Sequence, residues 1–286
     1  MEKEKYRSGD PIAWCPGCGN FGIINAVTKA LEGLETAPEQ VLLVSGIGQA
    51  AKLPHYVRAN CFNGLHGRAL PVAVAAKMAN RKLTVIVTTG DGDCYGEGGN
   101  HFVHNIRRNV DITVLVHNNQ IYGLTKGQAS PTTDTGYVTP VQIGGVILEP
   151  FHALQVAITL GAAFVARSFS GEIDHLSDMI QKGVRHKGFS LVEVMQPCVS
   201  FNKKNTHQWY KDRIYKLSEE GDHDPQDKMA AYSKAAEWGD DIPIGVIYRR
   251  ESETYGQKSG LSEKTPLAEK DIDKIDIGEL IEAFRI

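Results

Sequence analysis

The sequence predicts an α/β protein with a doubly wound, mostly parallel sheet. Short runs rich in β-branched and aliphatic residues are almost continuously apolar, which is typical of strands buried on both faces. Amphipathic stretches at helical spacing separate these runs, so strand and helix alternate along the chain. A glycine-rich turn joins one run to the helix that follows it, as in ligand-binding α/β sheets.

The elements follow one another in a regular order. The strand-like runs are VLLVSG (41–46), LTVIVTTG (83–90), ITVLVHN (112–118), AAFVARS (162–168), SLVEVM (190–195) and IPIGVIYR (242–249). The helical stretches are 21–34, 69–80, 99–109, 151–161 and 172–184. With 286 residues, the chain is long enough to bury a substantial core.

The composition of the chain changes after Pro197, where charged, turn-rich sequence begins. We therefore expect residues 1–199 to form one domain. We expect residues 200–286 to be a C-terminal extension that packs on this domain or on a partner. There are no internal repeats or low-complexity segments.

A formal net charge of −3 gives no electrostatic reason to expect nucleic acid or an anionic membrane as a partner. No apolar run is long enough for a spanning helix, and the first ten residues, MEKEKYRSGD, lack the features of a signal peptide. These features lead us to expect a cytoplasmic protein. The five cysteines, an odd number, then favour metal or redox chemistry over a disulfide framework.

Polar residues follow two neighbouring strands of the predicted sheet. GDGDCYGEGGNHF (90–102) comes after the second long strand, and HNNQIYG ends the third. Parallel strands would bring Asp91 and the pair Asn118–Asn119 to one carboxyl edge, where glycines let a phosphate approach the backbone. A carboxylate, an amide oxygen and a backbone carbonyl suit Mg²⁺.

Each half of this pattern also has a simpler explanation, because Asp-Gly and Asn-Asn are common in turns. An EF-hand is a further alternative, since Asp91, Asp93 and Gly96 fall at loop positions 1, 3 and 6. The residues at positions 5 and 12 are Tyr95 and Phe102, which supply no such ligands. The EF-hand alternative therefore fails.

The stretch WCPGCGNFG (14–22) allows several interpretations of what Cys15 and Cys18 bind or form. A redox dithiol of the thioredoxin type should follow a strand, and only a short strandless segment precedes Cys15. Structural zinc usually needs a second paired set of Cys or His, which the sequence does not offer. An iron–sulfur cluster with scattered ligands is the preferred explanation.

Gly-Asp-Gly followed by Asn-Asn after the next strand resembles the diphosphate-binding domain of thiamine-diphosphate enzymes. With WCPGCGNFG, SGIGQAAKLPHYVRANCFNGLHGRALP (45–71) and IYGLTKGQASPTT (121–133), nearly the first 200 residues resemble the β-subunit of 2-oxoacid:ferredoxin oxidoreductases. The resemblance implies Mg²⁺ ligation by Asp91, Asn119 and the Ile121 carbonyl. It also implies contacts to thiamine diphosphate from Ile47, Gly48, His66, Gly90, Asp91, Gly92, Asp93, Asn119, Ile121, Leu124 and Thr125.

The same resemblance implies a [4Fe–4S] cluster held by Cys15, Cys18 and Cys198, the last in a Gln-Pro-Cys context. The family usually has a further Cys directly after Gly-Ile-Gly, where this chain has Gln49. Cys61 is the candidate for the missing thiolate. It is equally well explained as a small apolar residue.

The activity implied is oxidation of a 2-oxoacid with release of CO₂, transfer of the acyl group to coenzyme A and of electrons to ferredoxin. The partner implied is an α-subunit with the pyrimidine-binding domain, in an α₂β₂ assembly. Lys126, assisted by Lys52, would bind a second substrate carboxylate, which favours 2-oxoglutarate over pyruvate. Either lysine is alternatively a solvated loop residue.

Three other functions stay open. The enzyme could act on pyruvate or on 2-oxoacids broadly. A non-redox thiamine-diphosphate decarboxylase or transferase subunit would have no use for the three cysteines. A non-enzymatic electron-transfer subunit would need the cysteines without the metal–diphosphate turn.

Overall fold

The computed structural model describes residues 5–261, 264–274 and 276–285. The strands within these ranges are β1 (Val41–Ser45), β2 (Asn60–Asn63), β3 (Thr84–Gly90), β4 (Ile112–Asn118), β5 (Ile121–Tyr122), β6 (Gln128–Ala129), β7 (Phe164–Phe169), β8 (Phe189–Met195), β9 (Ile214–Lys216) and β10 (Ile242–Arg249). The helices are α1 (Asn20–Gly33), α2 (Ala69–Ala79), α3 (Gly99–Arg108), α4 (Ala153–Leu160), α5 (Ile173–Arg185), α6 (His207–Lys211), α7 (Leu217–Glu220), α8 (Lys228–Ala236), α9 (Tyr255–Lys258) and α10 (Gly278–Ala283). Two further segments shape the site, a 3₁₀ segment (Ala50–Tyr56) and a π-helical turn (Gly92–Glu97).

Eight strands form one sheet in the order β2-β1-β3-β4-β8-β7-β10-β9. Every pairing in this sheet is parallel except that of β10 with β7. The short strands β5 and β6 form a separate antiparallel pair. The prediction of a doubly wound, mostly parallel sheet is therefore confirmed.

Helices cover both faces of the sheet. On one face α1 and α5 pack together, and Leu43, Ile86 and Leu115 of the sheet join their apolar core. On the other face α2, α3, α4 and α8 pack over Val44, Val87 and Val114. Along the part of the chain that the structure describes, no helix has both the length and the apolar character needed to cross a membrane.

All six strand-like runs are strands in the structure, and all five helical stretches are helices. The sequence did not predict β2, β5, β6 or β9. The missed strands are two to four residues long, and β2 is an exposed edge strand with the polar sequence NCFN. Such segments lack the apolar pattern by which a buried strand is recognised.

A glycine allows α1 to approach the carboxyl end of β7 closely. A Cβ placed on Gly22 would lie 1.9 Å from the Ser170 carbonyl oxygen. Only glycine fits this contact without moving the backbone. The approach brings the N-terminus of α1, and the cysteines that precede it, to the edge where the strands end.

His117 in β4 ties this same helix end to the sheet. Its Nδ1 lies 2.8 Å from Asn20 Oδ1, and its Nε2 lies 2.9 Å from the Thr88 hydroxyl. The Asn20 oxygen can only accept, so Nδ1 carries the proton and Nε2 accepts from Thr88. Burial lowers the pKa of His117 to about 3, so the imidazole is neutral in the folded protein.

We expect His117 to make the folded state less stable in acid. Below pH 6.5 the unfolded chain binds a proton at this imidazole, whereas the folded chain binds one only near pH 3. From pH 6.5 to 4.5 the free energy of unfolding of the wild-type chain should fall, relative to that of His117→Gln, by about 2 to 3 kcal/mol. Urea unfolding at the two pH values measures this difference.

The matched control is His104→Gln, which removes an exposed imidazole from α3. The difference in pH dependence between His117→Gln and the wild type should exceed that between His104→Gln and the wild type. If His117→Gln and the wild type lose the same stability between the two pH values, His117 is not held neutral by burial.

Candidate active site at the carboxyl edge of the sheet

Asp91 follows the last residue of β3 and is buried, with 1% of its surface exposed. Its Oδ2 accepts hydrogen bonds from Ser130 Oγ (2.5 Å) and Thr132 Oγ1 (2.6 Å). Burial raises its pKa to about 6, although these hydroxyls and the backbone N–H of Asn119 oppose the shift. Every donor to this carboxylate is neutral, which leaves its charge uncompensated and suits a bound cation.

Asn119 lies directly beside this carboxylate, because Gly90 pairs with His117 in the parallel register of β3 and β4. Its Oδ1 accepts the backbone N–H of Ile121 at 3.1 Å, and its Nδ2 donates to Gln196 Oε1 at 2.9 Å. The predicted meeting of Asp91 and the Asn118–Asn119 pair at one sheet edge is confirmed.

The donor set fits Mg²⁺ bound together with a diphosphate. The Asp91 carboxylate, the Asn119 amide oxygen and the Ile121 carbonyl are hard oxygen donors of the kind that Mg²⁺ prefers. Within the described ranges, no three His, Cys, Asp or Glu side chains converge as ligands of one metal ion. Asp91 is the one carboxylate among the three donors named, so a cation bound to them would also need oxygens from a bound anion and water.

The Asp93 carboxylate is hydrogen-bonded to several other parts of the protein. Its Oδ2 accepts from Thr89 Oγ1 at 2.6 Å, and its Oδ1 accepts from the backbone N–H groups of Ile47 (3.2 Å) and Gly67 (2.8 Å). His66 Nδ1 lies 2.8 Å from the same Oδ1. The carboxylate is therefore bound by protein groups and holds two loops against the π-helical turn, while its backbone remains part of the turn.

The loops held by Asp93 carry several of the expected cofactor contacts. Ile47 and Gly48 follow β1, and Gly48 has a φ of +111°, which favours glycine. A Cβ on Gly46 would lie 2.0 Å from Asp93 Oδ2, so this close approach also requires glycine. His66, Ile47 and Gly48 are thus brought to the same edge as Asp91.

Glu97 and Tyr122 lie close to His66 and were not predicted. Glu97 Oε2 is 3.3 Å from His66 Nδ1, and the Tyr122 hydroxyl is 3.2 Å from Glu97 Oε1. The Tyr122 ring also occupies the space beside Gly92, where a Cβ would lie 2.2 Å from a ring carbon. Ser130 and Thr132 were missed as well. These four side chains come from turns and a short hairpin, and the sequence pattern gave no separate signal for them.

Leu124, Thr125 and Lys126 lie in the exposed turn between β5 and β6. Lys126 has a φ of +84°, a conformation that is uncommon for a residue with a side chain. Lys52 is half-buried in the 3₁₀ segment that follows the Ile47–Gly48 loop. The structure gives no hydrogen-bond or ion-pair partner to either ammonium group among the residues that it describes, which leaves both available to an anion.

Cys15, Cys18 and Cys198 form a group at the same edge, next to the end of β8. The backbone N–H of Gly19 donates to the Pro197 carbonyl at 3.2 Å. Burial raises the pKa of Cys18 to about 11, with the nearby Cys198 and Cys15 adding to the shift. Such a thiol stays protonated unless a metal or a cluster takes it as thiolate.

Polar groups around these cysteines suit an iron–sulfur cluster. Gln196 Nε2 donates to Cys18 Sγ at 3.3 Å, and Ser200 Oγ donates to Cys15 Sγ at 3.2 Å. In the described structure Asn20 Nδ2 and Ser170 Oγ are buried donors without a hydrogen-bond partner, and both lie beside this motif. Cluster sulfides accept such hydrogen bonds.

The structure does not bring Cys61 to this group. Cys61 is exposed on edge strand β2, which is four strands from β8, the strand that leads to Cys198, a separation of roughly 19 Å. This placement contradicts the expectation that Cys61 supplies the missing thiolate. The error arose because closeness in sequence to Gln49 does not fix a strand's place in the sheet.

Gln49 itself lies beside the cysteine motif. Its backbone carbonyl accepts the indole N–H of Trp14 at 3.0 Å, and its Oε1 is buried with no partner among the residues described. Cys94 is buried in the π-helical turn near Asp91 and Asp93, where burial raises the pKa of its thiol well above the usual value.

Two family models match the chain. The model described as the C-terminal TPP-binding domain of thiamine pyrophosphate enzymes matches residues 44–194. The model described as the C-terminal part of the pyruvate ferredoxin oxidoreductase beta subunit matches residues 198–263.

Relatives in other organisms extend this match over most of the chain. The 2-oxoacid:ferredoxin oxidoreductase subunit beta of Saccharolobus solfataricus is 46% identical, over 88% of this chain and 86% of the relative. The 2-oxoglutarate synthase subunit KorB of Methanocaldococcus jannaschii is 39% identical, over 77% of this chain and 82% of the relative.

A solved structure, 2-oxoglutarate:ferredoxin oxidoreductase from Magnetococcus marinus with 2-oxoglutarate, coenzyme A and succinyl-CoA bound, superposes with a TM-score of 0.91. The match covers 100% of this chain and 97% of the solved chain, at 33% sequence identity. Fold, matched sequence and the composition of the sheet edge agree, and the chain belongs to the β-subunit family of the 2-oxoacid:ferredoxin oxidoreductases.

Proposed function

We propose that this chain is the β-subunit of an enzyme that converts 2-oxoglutarate, coenzyme A and oxidised ferredoxin to succinyl-CoA, CO₂ and reduced ferredoxin, reversibly. One sheet edge holds both a buried carboxylate beside an asparagine, Asp91 and Asn119, and a group of three thiols. This juxtaposition of a cation site with a redox site carries the proposal.

Asp91, Asn119 and the Ile121 carbonyl would hold Mg²⁺, and the glycine turn Gly90–Gly92 with the backbone of Asp93 would receive the diphosphate. Ile47, Gly48, His66, Leu124 and Thr125 would contact the rest of thiamine diphosphate. When bound, this cofactor supplies the stabilisation of negative charge that removal of CO₂ from a 2-oxoacid requires. Asp93 holds the loops that shape this pocket through its bonds to Ile47 and Gly67.

Cys15, Cys18 and Cys198 would hold a [4Fe–4S] cluster that passes electrons to ferredoxin. Residues 1–199 would form the cofactor domain, and residues 200–286 an extension whose strand β10 pairs with β7. Lys126 and Lys52 would bind the distal carboxylate of the substrate, because both carry ammonium groups without partners in the described structure. Relatives named for 2-oxoglutarate support this choice.

An α-subunit carrying the pyrimidine-binding domain would complete the site in an α₂β₂ assembly. Together with Tyr122 and Ser130, the segment 141–149 lines a cavity, and the region from 138 to 148 exposes a series of apolar side chains to solvent. These side chains are Val138, Val141, Ile143, Ile147 and Leu148. Exposed apolar patches of this kind mark protein interaction sites.

A second candidate function is oxidation of pyruvate or of 2-oxoacids in general, since the Saccharolobus relative is named for 2-oxoacids. Co-expression with the α-subunit under anaerobic conditions, followed by viologen reduction with coenzyme A and either substrate, separates the two. We expect a strong preference for 2-oxoglutarate. Preference for pyruvate would refute the substrate assignment, and no reduction by a cofactor-loaded complex would refute the redox function.

Lys126→Met should lower kcat/KM for 2-oxoglutarate by about 10- to 100-fold, a loss of roughly 1.5 to 3 kcal/mol for a charge-assisted hydrogen bond. Its effect on pyruvate should be small, because pyruvate has no distal carboxylate. Methionine keeps a Cβ at the positive φ, so the backbone strain is matched. The ratio of the two kcat/KM values is the measurement.

Lys52→Met should change this ratio in the same direction, and Lys258→Met, in exposed helix α9, should leave it unchanged. An unaltered ratio in Lys126→Met would show that this ammonium does not recognise the substrate.

Cys198→Ser should lower the iron bound per β-subunit and alter the electron paramagnetic resonance signal of the reduced complex, because it removes a thiolate ligand. Cys61→Ser should change neither, since Cys61 lies on the distant edge strand. Iron analysis and spectra of the anaerobically purified complexes test both variants. Loss of iron in Cys61→Ser would instead place Cys61 among the ligands.

A further inference from the structure

Gln196 lies between the proposed magnesium site and the proposed cluster site, and its carboxamide contacts a residue of each. Its Oε1 accepts from Asn119 Nδ2 at 2.9 Å, and its Nε2 donates to Cys18 Sγ at 3.3 Å. The side chain is buried, with 2% exposed. A single planar amide therefore joins a magnesium ligand to a cluster ligand.

The orientation of this amide is fixed by a neighbouring backbone group. Gln196 Nε2 also donates to the Pro197 carbonyl at 3.2 Å. A carbonyl only accepts hydrogen bonds, so the nitrogen of Gln196 must face it and the oxygen must face Asn119. The position of Gln196 beside Asn119 is also supported by its backbone, whose N–H donates to the Asn118 carbonyl at 2.9 Å.

The fixed orientation of Gln196 in turn orients Asn119. Because Gln196 presents an acceptor, Asn119 must present its Nδ2 donor to it, and its Oδ1 then points to the opposite side. On that side Oδ1 accepts the Ile121 N–H at 3.1 Å and keeps a second lone pair. The oxygen of Asn119 is thus presented to a cation by a chain of hydrogen bonds that starts at Pro197.

We propose that Gln196 is a positioning residue that couples the two sites, so that binding of Mg²⁺ with thiamine diphosphate raises the reduction potential of the cluster. This inference rests on the proposed function. A cation on Asn119 Oδ1 withdraws electrons from the amide and strengthens the donation from Nδ2 to Gln196. Hydrogen bonds in series polarise one another, so the donation from Gln196 to the Cys18 sulfur becomes stronger as well.

A stronger hydrogen bond to a ligand sulfur stabilises the reduced, more negatively charged cluster and raises its potential. The coupling is reciprocal by thermodynamic linkage. The complex with a reduced cluster therefore binds Mg²⁺ and thiamine diphosphate more tightly than the complex with an oxidised cluster. Binding of the cofactor thus makes the cluster a better electron acceptor.

The test is a redox titration of the anaerobic αβ complex, followed by electron paramagnetic resonance, with and without Mg²⁺ and thiamine diphosphate. In the wild type we expect a higher cluster potential when the cofactor is bound. In Gln196→Met the potential without cofactor should be lower, because the donor to Cys18 is lost, and the shift caused by the cofactor should disappear.

Ser200→Ala is the matched control, since it removes the hydroxyl that donates to Cys15 Sγ but has no link to Asn119. Its potential should also be lower than that of the wild type, yet the shift caused by the cofactor should remain. This pattern separates coupling through Gln196 from a general effect of losing one hydrogen bond to the cluster.

A wild-type complex that binds both groups but shows no shift would overturn the coupling while leaving the proposed function intact. The same holds if Gln196→Met keeps the full shift. A complex that binds no iron, or no thiamine diphosphate, would overturn the proposed function and the coupling together. The wild-type titration can overturn the coupling by itself, even if Gln196→Met does not fold.

Discussion

The arrangement of the loops at the carboxyl edge of the sheet depends on the Asp93 carboxylate. It accepts hydrogen bonds from Thr89 of β3, from Ile47 in the loop after β1 and from the His66–Gly67 turn. A buried carboxylate is tolerated where donors surround it, and here two of the four donors are backbone N–H groups that would otherwise be unpaired. One side chain thereby holds three segments together on one side of the site.

Asp91, two residues earlier, shows the opposite balance. Its donors are hydroxyls and backbone N–H groups without charge, they do not offset burial, and its pKa rises to about 6. Asp93 therefore contributes to holding the fold, whereas Asp91 is left with a charge that a cation would neutralise. The two carboxylates of Gly-Asp-Gly-Asp thus differ in function because their surroundings differ, although only one residue separates them in the sequence.

Much of the fold could be predicted from the sequence, because fully buried parallel strands give continuous apolar runs and their alternation with helices fixes the fold class. The meeting of Asp91 and Asn119 was also predictable, since parallel strands end at one edge. Ser130, Thr132 and Glu97 were not, because their contacts arise from turns whose paths no periodicity describes. Cys61 was misassigned for a related reason, as the sequence does not reveal the order of strands in the sheet.

The adjacency of β4 and β8 has a consequence for electron transfer between the two proposed sites. Asn119 follows the end of β4, and Gln196 follows the end of β8, with the two strands joined by a regular parallel ladder. The relative position of these two residues is then set by the spacing of neighbouring strands, about 4.8 Å, rather than by the closing of a flexible segment. Electron transfer between groups bound at these two strand ends would require no moving part within this subunit, so solvent viscosity and loop dynamics would leave the rate of this internal step unchanged.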